Sequence, residues 1–219
     1  MATKKSILTK DKVISMYMQS TLENNEKPKS AYHFAKENGF SESELYNFFG
    51  GIDGIEKEVF NQFLIKTLEL LEKDKDYEYY DMKSKMLSFY FTFFFFFFSN
   101  RSYVVLRVKE NHNIMKSLMQ LSSLRNGFKD FVSGIISDEY RLKQERFQEI
   151  QEKALQESAW IQLLMTIKFW LDDSSASFEK TDIYIEKSVK ASFELMNTTP
   201  LESLIDFGKF LFKEKIQHN

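Results

Sequence analysis

The chain has no cysteine, so disulfides, thiolate metal sites and cysteine nucleophiles are all excluded. Only two prolines, Pro28 and Pro200, and seven glycines interrupt its 219 residues. So few breakers predict long helices joined by few turns. Positive charge is not in excess, because 30 Lys and Arg against 32 Asp and Glu leave a formal −2. A general nucleic-acid coat is strongly basic, so any contact with nucleic acid has to be local. The lysine-bearing start, MATKKSILTKDK, has no apolar core followed by a small-residue cleavage site and does not read as a signal peptide. The longest apolar run, Met86 to Phe98, is interrupted by Ser88 and Thr92. It falls short of the roughly 20 residues a spanning helix needs. The expectation is a soluble, cytoplasmic protein with no membrane span.

Signals for catalysis are missing too. His33, His112 and His218 lie far apart without a ligand-spaced neighbour, which gives a metal no site. Gly50-Gly51-Ile52-Asp53-Gly54 lacks the Lys and the preceding strand of a phosphate loop, and no Gly-x-Ser-x-Gly elbow occurs. The many carboxylates of Glu139 to Glu157 read as a solvated helix face. Nothing in the sequence argues for an enzyme or a cofactor.

What the chain has is helical periodicity. Val13, Ile14, Tyr17, Met18 and Leu22 give a first helix over about Thr9 to Glu23, ended by the polar segment before Pro28. Ser30 caps a second helix that packs through Ala31, Phe34 and Ala35, and Gly39 supplies the positive φ that ends it. Ser41 with Glu44 forms a capping box for a third helix, Glu42 to Phe48, which buries Leu45 and one or both of Phe48 and Phe49. The glycines at 50, 51 and 54 break the chain before a long helix from Ile55 to Leu71. The charged segment Glu72 to Asp76 is the candidate boundary between headpiece and body.

Further helices follow over Tyr79 to Ser99, Arg101 to Leu121 and around Phe128 to Ile136. A long helix is expected over Asp138 to Leu171, another over Glu179 to Met196, and a last one from Pro200, a favoured first helical position after Thr199. There is no strand alternation. The fold class is all-α: a three-helix helix-turn-helix headpiece and a C-terminal helical bundle, about nine to ten helices in all.

Ala35-Lys36-Glu37-Asn38-Gly39-Phe40-Ser41 followed by Leu45-Tyr46-Asn47-Phe48-Phe49 and a long helix resembles the N-terminal domain of TetR-type transcriptional regulators. The resemblance covers about residues 9 to 65. It implies a helix-turn-helix domain over 1–54 and a helical ligand-binding and dimerisation domain over 55–219. It also implies that the third helix reads the major groove. Ser41, Ser43, Tyr46 and Asn47 would then face bases while Lys27 and Lys29 hold phosphates.

The DNA-contact residues are atypical of the family. Glu42 and Glu44 put carboxylates on the reading helix, and Gly51-Ile52-Asp53-Gly54-Ile55 stands where the family has Ser-Lys-Glu-x-Leu, without its phosphate-binding lysine. Over the first fifty residues seven lysines face six carboxylates, a weak balance for a module whose affinity is largely phosphate neutralisation. Phe169-Trp170-Leu171-Asp172-Asp173-Ser174-Ser175 with Phe178-Glu179-Lys180-Thr181-Asp182 is similar to ubiquinone-biosynthesis lipid-binding proteins, which share the TetR-like fold without acting as repressors.

The chain also carries 23 Phe, six of them consecutive from Phe93 to Phe98 after Phe89, Tyr90 and Phe91. At about 100° per residue six positions circle a helix, so protein, ligand or a partner chain must surround this one. The rings serve either as plain core or as the wall of a hydrophobic pocket such as the TetR resemblance implies. The candidates by composition are Phe89, Phe93, Phe96, Phe97, Met115, Met119, Phe128, Phe131, Trp160 and Trp170. The amphipathic stretches Leu155–Leu171 and Phe178–Met196 are candidates for a homodimer interface. Three functions remain open: a DNA-binding regulator modulated by a hydrophobic small molecule, a lipid-binding protein of the same fold that has lost DNA, and a dimeric interaction protein with neither.

Overall fold

A computed structural model of the chain describes residues 7–109, 121–136 and 145–198. The described residues form nine α-helices and no strand. They are α1 (Lys10–Asn24), α2 (Ala31–Glu37), α3 (Glu42–Tyr46), α4 (Ile52–Leu71), α5 (Met82–Ser99), α6 (Arg101–Lys109), α7 (Ser122–Ile135), α8 (Glu145–Asp172) and α9 (Glu179–Thr198). The protein is all-α, as its periodicity required. Among the described residues no single helix is long and apolar enough to cross a membrane.

By their contacts the residues fall into two compact units. One comprises Met1–Leu68 with Phe93–Gly127, the other Glu69–Thr92 with Phe128–Asn219. In the first, α1 lies against α6. Tyr17 meets Phe34 of α2 edge-on at 6.1 Å and Tyr103 of α6 at 6.4 Å. Phe60 and Phe63 of α4 meet Phe97 at 6.3 and 5.5 Å. Rings buried this completely contribute about 2–3 kcal/mol each. Gly127 lets α7 approach Leu64 closely: a Cβ there would lie 2.5 Å from Leu64 Cδ2, and that side chain would have to move.

The second unit closes around Phe89, Phe128, Trp160, Leu163, Ile167 and Trp170, all buried. Its α8 and α9 are adjacent, tied by Gln162, whose amide donates to Ser188 Oγ (3.2 Å) and accepts from Ser192 Oγ (3.1 Å).

Several boundaries differ from the expectation. α4 begins at Ile52, three residues early, because the Gly51 carbonyl already receives the amides of Gly54 and Ile55. Gly54 sits inside the first turn, where a single glycine is tolerated. α3 stops at Tyr46, and the amides of Phe48 and Phe49 both return to the Leu45 carbonyl. Tyr77–Tyr79 is a separate 3₁₀ turn, and α5 starts only after Asp81, whose carboxylate accepts the Ser84 amide at 2.7 Å. Leu121 precedes α7, and its carbonyl receives the Arg125 amide. The part of the expected Arg101 to Leu121 helix over 110–120, the start of the long helix at Asp138 and the helix from Pro200 fall outside the described residues.

The phenylalanine run is only partly enclosed. Phe93, Phe94 and Phe97 are buried, whereas Phe91, Phe95 and Phe98, at i, i+4 and i+7, are exposed. The enclosure expected for the whole circumference is therefore incomplete among the described residues of this chain.

Candidate DNA-reading surface and aromatic body

The helix-turn-helix is assembled from short-range interactions. Ser30 Oγ accepts the His33 amide at 3.1 Å and opens α2. α2 ends at Gly39, φ 75°, with the Gly39 amide bonded to the Lys36 carbonyl and the Phe40 amide to the Ala35 carbonyl. Such a left-handed closure excludes most side chains, which is why glycine stands there. Phe40 folds back edge-on against Phe34 at 5.6 Å, the apolar contact that accompanies this kind of helix end. The capping box is complete. Ser41 Oγ accepts the Glu44 amide at 3.2 Å, and Glu44 Oε2 accepts the Ser41 amide at 2.8 Å. Leu45 is fully buried, which anchors α3 against α2.

All six residues expected to touch DNA, Lys27, Lys29, Ser41, Ser43, Tyr46 and Asn47, are exposed. Three of them are already engaged with carboxylates. Lys27 Nζ lies 3.0 Å from Asp53 Oδ1, Ser41 Oγ donates to Glu44 Oε2, and the Tyr46 hydroxyl donates to Glu42 Oε1 at 2.7 Å. That last bond raises the Tyr46 pKa, so the ring keeps its proton and remains a donor. Ser43 Oγ stands 3.0 Å from Ser41 Oγ. Lys27, Pro28, Lys29 and Gly50 to Gly54 line an open cleft of about 510 Å³. The Lys27–Asp53 pair is the feature the sequence did not reveal, since its members lie 26 positions apart.

A second long-range pair stands deeper in the same unit. Arg107 on α6, 7% exposed, donates from Nε to Glu56 Oε1 on α4 at 3.1 Å and from Nη2 to the same oxygen at 2.5 Å. The buried hydroxyls of Tyr17, Thr21 and Tyr103 gather beside it. They are close enough for Tyr17 to sense the other two, yet among the described residues none of the three completes a well-formed hydrogen bond. Burial first, and then the Glu56 charge, push the Tyr17 hydroxyl far above its ordinary range. The only sequence signal for this cluster was a cation at 107 within the apolar positions 103, 104 and 108.

The residues proposed for a pocket separate into two sets. Phe93 and Phe97 (4.5 Å apart) belong to the first unit with half-buried Phe96. Phe89, Phe128, Phe131 and Trp160 belong to the second. There Phe89 stacks on Phe131 at 4.6 Å and meets Phe128 at 5.0 Å, while Phe128 meets Trp160 at 6.3 Å. Trp170 is buried against Phe178, 5.8 Å away. Met115 and Met119 lie outside the described residues. The second unit also has a cleft of about 350 Å³ that sequence reasoning missed, lined by Met165, Lys168, Phe169, Asp172, Asp173, Ser174, Lys180 and Tyr184. Phe169 and Tyr184 stack across it at 4.5 Å and 16°.

Beneath that cleft Asp173 ties α8 to α9. Its carboxylate accepts the amide and hydroxyl of Ser175 (2.8 and 2.7 Å) and those of Thr181 (3.0 and 2.7 Å). Burial works against its charge, but these four donors prevail and hold its pKa at about 2. Among the described residues no group of three or more His, Asp or Glu is gathered as a metal site.

No match is found among curated proteins. A family model described as the tetracyclin repressor-like C-terminal domain matches residues 85–211, more than half of the chain. An all-α body of this family behind a capped helix-turn-helix is the arrangement of a TetR-type regulator, and the chain belongs to the tetracyclin repressor-like family.

Proposed function

We propose that this protein is a cytoplasmic transcriptional regulator that binds operator DNA as a homodimer and is modulated by a hydrophobic small molecule held in its body. The observation that carries the reading is the capped helix-turn-helix joined to a tetracyclin repressor-like body. The headpiece, residues 1–54, supplies DNA contacts through Lys27, Lys29, Ser41, Ser43, Tyr46 and Asn47. The body, residues 55–219, supplies the ligand site and the dimer contacts. Of the pocket candidates, Phe89, Phe128, Phe131, Trp160 and Trp170 of the second unit are proposed to line the ligand site. Ligand binding shifts the population of headpiece arrangements and so changes operator affinity. No residue is assigned a catalytic role, and no cofactor is invoked.

Dimerisation is assigned to α8 and α9. Ile161, Met165 and Phe169 repeat every four residues along one exposed line of α8, and Ile183 and Leu195 are exposed on α9. An apolar stripe of that kind on two adjacent helices suits a four-helix contact across a two-fold axis.

A second reading, a hydrophobic-ligand or lipid-binding protein that has given up DNA, is favoured by one observation. Asp53 neutralises Lys27 at the place where a phosphate would need the cation. The readings separate experimentally. Fluorescence anisotropy on DNA flanking the gene, at low ionic strength, detects binding under the first and none under the second. Exchanging both Lys27 and Lys29 for Glu abolishes it under the first. Binding that survives that exchange sinks the assignment of the phosphate contacts. Mass spectrometry of compounds carried through purification tests for the ligand.

A further inference from the structure

We propose that Glu42, held by Tyr46, is a base-selecting residue of the headpiece: it accepts a hydrogen bond from an exocyclic base amino group, cytosine N4 or adenine N6, at one fixed position of each DNA half-site. This rests on the DNA-binding reading and gives it a specific chemistry.

Three carboxylates belong to the surface around α3, and their surroundings differ. Glu44 is turned back into the capping box, where its Oε2 accepts both the amide and the hydroxyl of Ser41 at 2.8 Å. Asp53 is neutralised by Lys27. Glu42 is half-buried, and its bond at Oε1 comes from a neutral phenol, which brings no counter-charge. An ionised carboxylate has about four acceptor sites across its two oxygens, and Tyr46 occupies one.

Tyr46 lies four residues on, on the same face of the helix, and is 53% exposed. The hydroxyl bond holds the carboxylate in one orientation on the face that carries Tyr46, instead of leaving it to swing in water. A charge fixed on a DNA-facing surface is repelled by phosphates, which offer only acceptors. It is compensated only where it meets donors. The donors that bases present in the major groove are the cytosine N4 and adenine N6 amino groups. Thymine and guanine present acceptors at the corresponding positions and are rejected by the same carboxylate. Asn47, exposed one residue beyond Tyr46, has the amide suited to a neighbouring adenine.

The bland account of Glu42 is an acid in the first turn of α3, favoured by the helix dipole. That account makes the residue uniformly repulsive towards DNA, and selection separates the two. The full-length protein, its Glu42→Gln variant and its Tyr46→Phe variant are each used to enrich duplexes from a randomised pool at low salt. Anisotropy titrations on the enriched duplex and its single-base variants follow.

The wild type is expected to require cytosine or adenine at one position per half-site, and which base appears identifies the amino group. Glu42→Gln lowers discrimination at that position about tenfold while strengthening binding to unrelated DNA. Tyr46→Phe relaxes the same position by a smaller factor. If Glu42→Gln strengthens all duplexes equally with discrimination intact, Glu42 is merely repulsive and the proposal fails while the regulator reading stands. Salt-sensitive binding with no base preference has the same meaning. If neither protein nor variant binds any duplex, the regulator reading itself fails, and this proposal with it.

Discussion

Replacing Glu56 by Ala removes the counter-charge of a guanidinium that the fold has taken out of water. The Arg107 side chain is 6% exposed and that of Glu56 24%. Two N–H groups of Arg107 converge on one Glu56 oxygen. Breaking a buried pair from one side costs about 3–5 kcal/mol, because the remaining charge loses that compensation. The quarter exposure of Glu56 lets water reach the site, which reduces the expected loss to about 2–4 kcal/mol. Set against a typical stability of about 5–15 kcal/mol, the loss is large. It corresponds to a fall in melting temperature of about 5–15 °C for a protein of this size.

Amide hydrogen exchange resolves where the loss occurs. Protection is expected to fall together in α1, α4 and α6, because Tyr17, Glu56 and Arg107 meet in one cluster. The double variant Glu56→Leu with Arg107→Met, which leaves no buried charge, is expected to recover most of the stability. A Glu56→Ala variant within about 0.5 kcal/mol of wild type, the scatter of ordinary surface changes, would refute the reasoning. So would a double variant as unstable as the single one.

Three further predictions concern other parts of the chain. Asp173→Ala should cost about 2 kcal/mol at neutral pH, from a pKa held near 2 against 3.8 for a free aspartate. Because the folded-state pKa is depressed, this stability is present above about pH 4 and is lost as pH falls towards 2; urea unfolding followed over that range should show the wild type converging on the variant. Ser41→Ala removes the side-chain half of the capping box and should cost about 1 kcal/mol in thermal melts, with loss of protection in α3. Ile161→Asp combined with Leu195→Asp places charge on the exposed stripe of α8 and α9. It should convert a dimer to a monomer by analytical ultracentrifugation while leaving the circular dichroism spectrum unchanged.

How much of this was legible in the sequence depends on the distance over which each interaction acts. The headpiece read well because its determinants span five residues or fewer: Ser30 with His33, Ala35 with Phe40, Ser41 with Glu44. Lys27–Asp53 and Arg107–Glu56 join residues 26 and 51 apart, and no local pattern encodes such partners. Gly54 misled because a glycine reads as a breaker, while the backbone had already entered α4 at Ile52. The phenylalanine run was opaque for another reason. When every position is the same residue, periodicity carries no information about which face turns inward, and only tertiary neighbours put Phe97 inside and Phe95 outside. Glu42 looked from the sequence like an obstacle to DNA binding. Its bond to Tyr46 could not be read from the sequence, which offered no signal beyond the i, i+4 spacing.

The most direct test of the account is a salt titration of the full-length protein on DNA flanking its gene. A dimer that neutralises one phosphate with each Lys27 and Lys29 predicts a slope of log K against log salt of about −4. Binding should be lost on exchanging both lysines for Glu. The absence of any salt-sensitive binding at low ionic strength would contradict the assignment of this helix-turn-helix to DNA.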